Sequence, residues 1–147
     1  MPDFRCYFVT GTADSPADIV RIAAAAARGG AGVVQVRSKP ISARDLYLLG
    51  RDVARAVAEA NPETRVLIDD RVDVALALRH DGEPVHGVHL GQDDLPVEQA
   101  RALLGPDAII GLTTGTRELV EKANEVAGFI DYIGCGPFRA TPTKDSG

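Results

Sequence analysis

The sequence has no tryptophan, a single methionine and only 5% aromatic residues. A hydrophobic core must therefore be built mainly from alanine, valine, isoleucine and leucine. The two cysteines, Cys6 and Cys135, are too few for a disulfide framework, and they lack the spacing of zinc ligands. We expect two small, buried thiols, which fits a reducing, cytoplasmic location.

Long apolar runs and an excess of positive charge are lacking as well. No run approaches the roughly 18 apolar residues of a membrane-spanning helix, and the start of the chain does not resemble a signal peptide. A net charge of −5 and a pI near 5.1 argue against nucleic acid or an anionic membrane as a partner. With 147 residues, 45% of them hydrophobic, we expect a single domain over residues 1–147.

Short segments rich in β-branched residues recur along the chain. They predict strands at residues 5–9, 33–37, 66–70, 87–90, 109–113 and 132–134. Each of the first five is followed by a helical pattern, of which the third covers 71–78 and the fifth 117–127. This strict alternation predicts βαβ units and a parallel sheet.

Two α/β folds fit this alternation. A doubly wound sheet usually carries a glycine-rich phosphate loop after its first strand, and residues 10–13 do not form one. A (βα)8 TIM barrel instead collects its site from the carboxyl ends of many strands. About six βα units are present, so a barrel built from them would remain open and expose strand edges.

The predicted strands end in polar side chains. These are Gln35, Arg37 and Lys39; Asp69 and Asp70; Asp94; Thr113; and Thr141, Thr143 and Lys144. In parallel sheets the chemistry is placed at the carboxyl ends of the strands, so this distribution predicts a site at that edge.

Alternate residues of the second strand are basic or polar. Gln35, Arg37 and Lys39 share one face, because side chains alternate along a strand. An arginine and a lysine on one face suit a phosphate or pyrophosphate. The alternative is an internal salt bridge to Asp69 or Asp70.

Two carboxylates, Asp70 and Asp94, follow the third and fourth strands and can converge at a barrel mouth. Beside bound phosphate they suit Mg²⁺, which prefers oxygen ligands and keeps several waters. The alternative is that they cap the helices that begin near Arg71 and Pro96. Threonines such as Thr113 are ordinary turn residues on their own, and His89 is interpreted as a core histidine.

Five ordered segments resemble the thiamine phosphate synthase family over nearly the whole chain. They are residues 35–39 (QVRSK), 67–71 (LIDDR), 87–96 (GVHLGQDDLP), 131–137 (DYIGCGP) and 141–144 (TPTK). The resemblance implies a TIM barrel and an Mg²⁺-dependent transferase. It would join hydroxymethylpyrimidine diphosphate to a thiazole phosphate, giving thiamine phosphate and pyrophosphate.

The resemblance also implies residue roles. Arg37, Lys39 and Lys144 would stabilise charge on the leaving diphosphate. Gln35 would contact the pyrimidine diphosphate, Thr113 would lie near the diphosphate, Asp70 and Asp94 would hold magnesium, and Thr141 and Thr143 would bind the thiazole phosphate. Asp69 stands where the family usually offers an asparagine to the pyrimidine.

The chain also departs from the family pattern. Gly115 stands where a histidine is common, and this counts against the related thiazole tautomerases. The last two strands of the barrel are missing, so we expect a fragment or an incompletely represented protein; a truncated homologue that only binds thiamine precursors is a further alternative. We expect the partners to be the two small-molecule substrates. A homo-oligomer is also compatible with the sequence.

Overall fold

The computed structural model describes residues 1–11 and 15–136. The strands are β1 (Tyr7–Val9), β2 (Val33–Val36), β3 (Arg65–Asp69), β4 (Gly87–Leu90), β5 (Ile109–Thr113) and β6 (Tyr132–Gly134). The α-helices are α1 (Pro16–Arg28), α2 (Ala43–Ala60), α3 (Val72–His80), α4 (Val97–Leu104) and α5 (Arg117–Ala123), and a 3₁₀ helix covers Asn124–Phe129.

One parallel sheet contains all six described strands in sequential order, from β1 to β6. A doubly wound sheet would reverse direction around its first strand, and this sheet does not. The prediction of a partial barrel is therefore confirmed: the described chain forms a half-barrel of the TIM type.

Side-chain caps begin three of the helices. Ser15, Ser42 and Thr116 each accept a hydrogen bond from the backbone N–H three residues later. The fifth helix differs, because its α-helical part ends at Ala123 and the chain continues as the 3₁₀ helix. Tightening of this kind is common in the last turn of a helix.

The core has two layers of unequal size. The outer layer lies between the sheet and the helices, where Val34, Val36 and Ile68 pack with Leu46 and Leu78. The inner layer is small and lines the inside of the half-barrel; it consists of Val33, Leu67 and Ile109 with Phe4, Tyr7 and Tyr132. The inner face is therefore apolar at its base and free to carry polar groups nearer the carboxyl ends.

The expectation of buried cysteines is wrong, because Cys6 and Cys135 are both exposed. Cys6 precedes β1 and Cys135 follows β6, so both lie just outside the edge strands of the sheet. Neither position is covered by a helix within residues 1–11 and 15–136. Both remain free thiols. Within the same residues no helix has the length and apolar character needed to cross a membrane.

An isolated polypeptide of residues 1–147 is expected to self-associate through its strand edges. In the described sheet, β1 and β6 each pair on one side only, and Val9 and Ile133 are 41% and 36% exposed. A charge on an edge strand opposes such pairing, so Val9→Lys should shift the polypeptide toward monomer in sedimentation velocity. Leu103→Lys, at a residue 52% exposed on α4, is the matched control and should change nothing. Equal behaviour of the two variants would contradict the prediction.

Candidate active site at the carboxyl edge of the sheet

A cavity of about 930 Å³ opens at the carboxyl ends of the strands. The strand register explains its composition, because Asp69, His89, Gly111 and Tyr132 are consecutive partners across β3 to β6. Side chains of one such row point to the same face of the sheet. The lining includes Tyr7, Gln35, Arg37, Lys39, Asp69, Asp70, His89, Asp94, Thr113 and Tyr132.

The basic residues of the second strand and the turn after it face this cavity. Gln35, Arg37 and Lys39 all line it, while the intervening Val34 and Val36 pack in the outer core. Thr10 fixes the backbone that follows β2. Its Oγ1 accepts a hydrogen bond from the Arg37 N–H and donates one to the Arg37 carbonyl, each at 2.9 Å.

Both cations are paired internally. Asp69 Oδ2 lies 3.7 Å from Arg37 Nε and 3.7 Å from Lys39 Nζ, and Lys39 also pairs with Asp70. The internal salt bridges weighed as an alternative are thus present. The side chains of Arg37 and Lys39 nevertheless remain 31% and 52% exposed, so both can reach a ligand in the cavity.

Asp69 is the most buried acid of this cluster. Its side chain is 8% exposed, and within the described chain its Oδ2 accepts no hydrogen bond. Burial, followed by the charge of Asp70, raises the pKa of Asp69 to about 7. A buried carboxyl oxygen directed at two cations, without a hydrogen-bond donor of its own, is a place for a ligand group.

Replacing Asp69 with asparagine is expected to change how the free energy of unfolding depends on pH. The folded state holds the Asp69 proton more tightly than the unfolded chain, where the pKa is near 3.8. The stabilisation is therefore complete below about pH 4 and is lost as the pH rises through about 7, on the order of 2–4 kcal/mol in all. Asp69→Asn should lack this loss when urea unfolding is measured between pH 4 and 7.5.

His86 provides an internal reference for that experiment. Burial and the charges of Arg65 and Arg79 lower the pKa of His86 to about 4, so its contribution has the opposite sign and is lost as the pH falls. Both proteins carry His86, so subtracting the two pH curves isolates Asp69. Parallel curves would rule out a raised pKa at Asp69.

The two predicted metal ligands, Asp70 and Asp94, do not cap helices. The N-cap positions of α3 and α4 are Arg71 and Pro96, and neither helix has a side-chain cap. Asp70 adopts the left-handed conformation, with φ of 65°, which aspartate tolerates better than most residues. Asp94 Oδ2 accepts the N–H of Gly91 at 2.7 Å. The capping alternative is therefore not realised.

The Asp70 and Asp94 carboxyl groups are close enough to shift each other's pKa in opposite directions. Burial opposes ionisation of Asp70, but interactions with Lys39 and Asp94 hold its pKa below the usual value. Burial and the neighbouring Asp70 carboxyl raise the pKa of Asp94. Two adjacent carboxyl groups repel each other when both are ionised, so the pair disfavours a second negative charge.

A divalent cation fits this pair. Three acids, Asp69, Asp70 and Asp94, are linked to only two cations, Arg37 and Lys39. A bound divalent cation would compensate the excess negative charge. Within the described residues no group of three or more metal-ligating side chains is present, so water and ligand oxygens would complete the coordination, as Mg²⁺ prefers.

The floor of the cavity contains residues that the sequence analysis missed. Tyr7 and Tyr132 bridge the two edge strands, their hydroxyl oxygens 2.6 Å apart. His89, interpreted as a core histidine, is half-buried and bonds Tyr132 and Thr113 from the cavity wall. The alternation along each strand was the available signal, because these residues lie in phase with Gln35 and Asp69.

The remaining predicted residues divide into two groups. Thr113 lines the cavity at the end of β5. Thr141, Thr143 and Lys144 lie outside the described residues.

Known proteins similar to this chain agree with the observed fold. The family model described as thiamine monophosphate synthase matches residues 6–147. A thiamine-phosphate synthase from Corynebacterium efficiens is 68% identical over 99% of this chain and 66% of its own length. One from Natronomonas pharaonis is 37% identical, over 98% of this chain and 64% of its own length.

Solved structures show the same relationship. A thiamine phosphate pyrophosphorylase from Pyrococcus furiosus superposes with a TM-score of 0.74 at 30% identity, covering 91% of this chain and 60% of that protein. A dihydrodipicolinate synthase from Agrobacterium tumefaciens shares the fold alone, with a TM-score of 0.63 at 16% identity, covering 90% of this chain and 49% of that protein. The chain spans about two thirds of the length of the curated relatives named above. By its matched residues and its half-barrel, the chain belongs to the thiamine monophosphate synthase family.

Proposed function

We propose that this chain carries the diphosphate-binding and metal-binding part of a thiamine phosphate synthase. The reaction transfers the pyrimidinylmethyl group of hydroxymethylpyrimidine diphosphate to the nitrogen of a thiazole phosphate, which yields thiamine phosphate and pyrophosphate. The observation that carries the proposal is the cluster of Arg37 and Lys39 with the Asp70–Asp94 pair in one cavity.

The transfer requires that negative charge be stabilised on the leaving diphosphate. As the C–O bond breaks, the bridging oxygen gains negative charge while the pyrimidine-bearing carbon becomes cationic. Arg37 offers a planar set of donors and Lys39 a compact cation, so both suit the departing phosphate oxygens. Preorganised charges of this kind contribute most when they already face the site before reaction. The ion pairs to Asp69 hold both cations in that position.

Asp70 and Asp94 are the residues that would hold Mg²⁺. The ion would supply charge stabilisation to the diphosphate oxygens. Asp94 is already oriented by the N–H of Gly91, and Asp70 by Lys39. Ligands held by such surrounding contacts lose little conformational freedom when a metal binds.

The remaining predicted residues are assigned to the two substrates. Asp69 and Gln35 would contact the pyrimidine diphosphate, and an acid at 69 suits the exocyclic amine or a protonated ring nitrogen. Thr113 would contact the diphosphate. Thr141 and Thr143 would bind the thiazole phosphate, and Lys144 the diphosphate.

The test is an assay of the complete gene product that carries this chain. It is supplied with hydroxymethylpyrimidine diphosphate, thiazole phosphate and Mg²⁺, and the product is followed by chromatography. Thiamine phosphate that forms only when all three are present supports the proposal. Binding of the pyrimidine diphosphate without turnover would favour a homologue that only binds thiamine precursors. Isomerisation of a thiazole would favour the tautomerase, which Gly115 disfavours.

A further inference from the structure

A chain of hydrogen bonds crosses the floor of the cavity from β2 to β5. Gln35 Nε2 donates to the Tyr7 hydroxyl at 2.7 Å, and the Tyr7 and Tyr132 hydroxyl oxygens are 2.6 Å apart. The Tyr132 hydroxyl lies 2.7 Å from His89 Nδ1, and His89 Nε2 lies 2.8 Å from Thr113 Oγ1. This series of hydrogen bonds therefore ends at the Thr113 hydroxyl, which lines the cavity.

The strand register places Tyr132 at the centre of this series of hydrogen bonds. Its partner on β5 is Gly111, and a Cβ atom there would overlap the tyrosine ring. The missing side chain lets the ring lie over β5 and reach His89, whose ring stacks on it at a centroid distance of 5.5 Å. Phe4 supports the ring from another side at 4.9 Å. The hydroxyl of Tyr132 is thereby held in one place.

The number of available protons determines which atom donates in each of these hydrogen bonds. The Gln35 amide donates to Tyr7, so the Tyr7 proton is available for Tyr132, and the Tyr132 proton for His89 Nδ1. An imidazole that accepts at Nδ1 carries its proton at Nε2 and donates it to Thr113. The opposite direction would leave the Tyr7 proton without an acceptor in residues 1–11 and 15–136. Burial raises the pKa of both tyrosines, so both hydroxyls keep their protons.

We propose that Tyr132 is a positioning residue, which fixes His89 as the Nε2–H tautomer and so directs the Thr113 hydroxyl proton into the cavity toward an anionic ligand oxygen. Thr113 accepts from His89 and therefore has its own proton to donate. This role rests on the proposed function only in that the ligand is taken to be a pyrophosphate group. The tautomer itself is a property of the ligand-free protein.

The tautomer is measured directly by nitrogen NMR of protein labelled with ¹⁵N-histidine. The sequence has only three histidines, so the spectrum is simple to assign. In the complete gene product we expect His89 as the Nε2–H form. Tyr132→Phe keeps the ring but removes the donor, and we expect a mixture of tautomers at His89. Tyr7→Phe is the matched control, because Tyr132 still donates to His89 and the tautomer should stay fixed.

Other results would overturn the inference. A wild-type His89 protonated at Nδ1 refutes it without any variant. An unchanged His89 in Tyr132→Phe, or an equal change in Tyr7→Phe, refutes it as well. The His86 resonance shows whether each variant remains folded, since Nδ1 of His86 accepts the Val66 N–H from a separate part of the sheet.

Binding of inorganic pyrophosphate with Mg²⁺ tests the second half of the inference. Thr113→Val should weaken binding about fivefold, roughly the effect of one hydrogen bond. Tyr132→Phe should weaken it about twofold, because roughly half of His89 would remain in the Nε2–H form. The double variant should be no weaker than Thr113→Val alone, because both changes act on the same donated proton. Additive losses would overturn the coupling. If wild-type protein binds no pyrophosphate, the proposed function and the ligand half fail together, while the tautomer measurement still decides the role of Tyr132.

Discussion

Replacing Asp94 with asparagine is expected to slow turnover of the complete gene product roughly a hundredfold and to raise the Mg²⁺ concentration that activity requires. The carboxylate pair would lose one anionic ligand facing the diphosphate. Losing one preorganised charge contact costs on the order of 3 kcal/mol in the transition state, which corresponds to that factor. Asp70→Asn should behave in the same way. Initial rates measured against Mg²⁺ concentration for both variants provide the test.

Asparagine is the informative substitution at both positions. It tolerates the left-handed conformation of Asp70, and at position 94 its amide oxygen can still accept the Gly91 N–H. Melting temperatures without Mg²⁺ should therefore change little. Asp107→Asn is the matched control, because it removes the same charge from an exposed residue that does not line the cavity. If Asp94→Asn matched this control in both rate and Mg²⁺ dependence, Asp94 would not belong to the site.

Gly87→Ala is expected to destabilise the protein by on the order of 3 kcal/mol, which corresponds to roughly 10 °C in melting temperature. A Cβ atom at Gly87 would overlap the carbonyl oxygen of Ile109 and lie 2.7 Å from its carbonyl carbon. The obstructing atoms are backbone, so no rotamer change relieves the contact. To accommodate the alanine, strands β4 and β5 must move apart. Thermal and urea unfolding measure the resulting loss of stability.

Gly134→Ala is the control for this prediction. Gly134 also lies in the sheet, but a Cβ atom there would be 3.4 Å from His89 Cε1, which is ordinary contact. We expect a change within about 0.5 kcal/mol, because alanine also restricts the unfolded chain. Equal stability losses for the two variants would show that the strand contact at Gly87 is not responsible.

The elements of the fold could be predicted largely from local patterns. Strands β4, β5 and β6 begin and end where the sequence predicts, because each β-branched segment is bounded by turn residues. The end of α5 and the exposure of Cys6 and Cys135 could not be predicted in this way. They depend on which neighbour covers each position, and a single sequence does not specify that.

The site was predictable only in part, for the same physical reason. Alternation along β2 places Gln35, Arg37 and Lys39 on one face, and they do share a cavity. The proximity of the Asp70 and Asp94 carboxyl groups and the burial of Asp69 depend on how neighbouring strands meet. The Tyr7–Tyr132 contact joins residues 125 positions apart, and no local pattern encodes such a pair.

That long contact also sets the order in which the site can form during synthesis. Tyr7 leaves the ribosome early, and its partner on β6 is made 125 residues later. Closing a loop of that length costs roughly 4 kcal/mol in chain entropy before the contact contributes. Strands β2 to β5 can pair with their neighbours as they emerge, but the cavity floor is incomplete until β6 arrives. The sheet therefore forms progressively during synthesis, whereas the cavity floor forms only once β6 has been made.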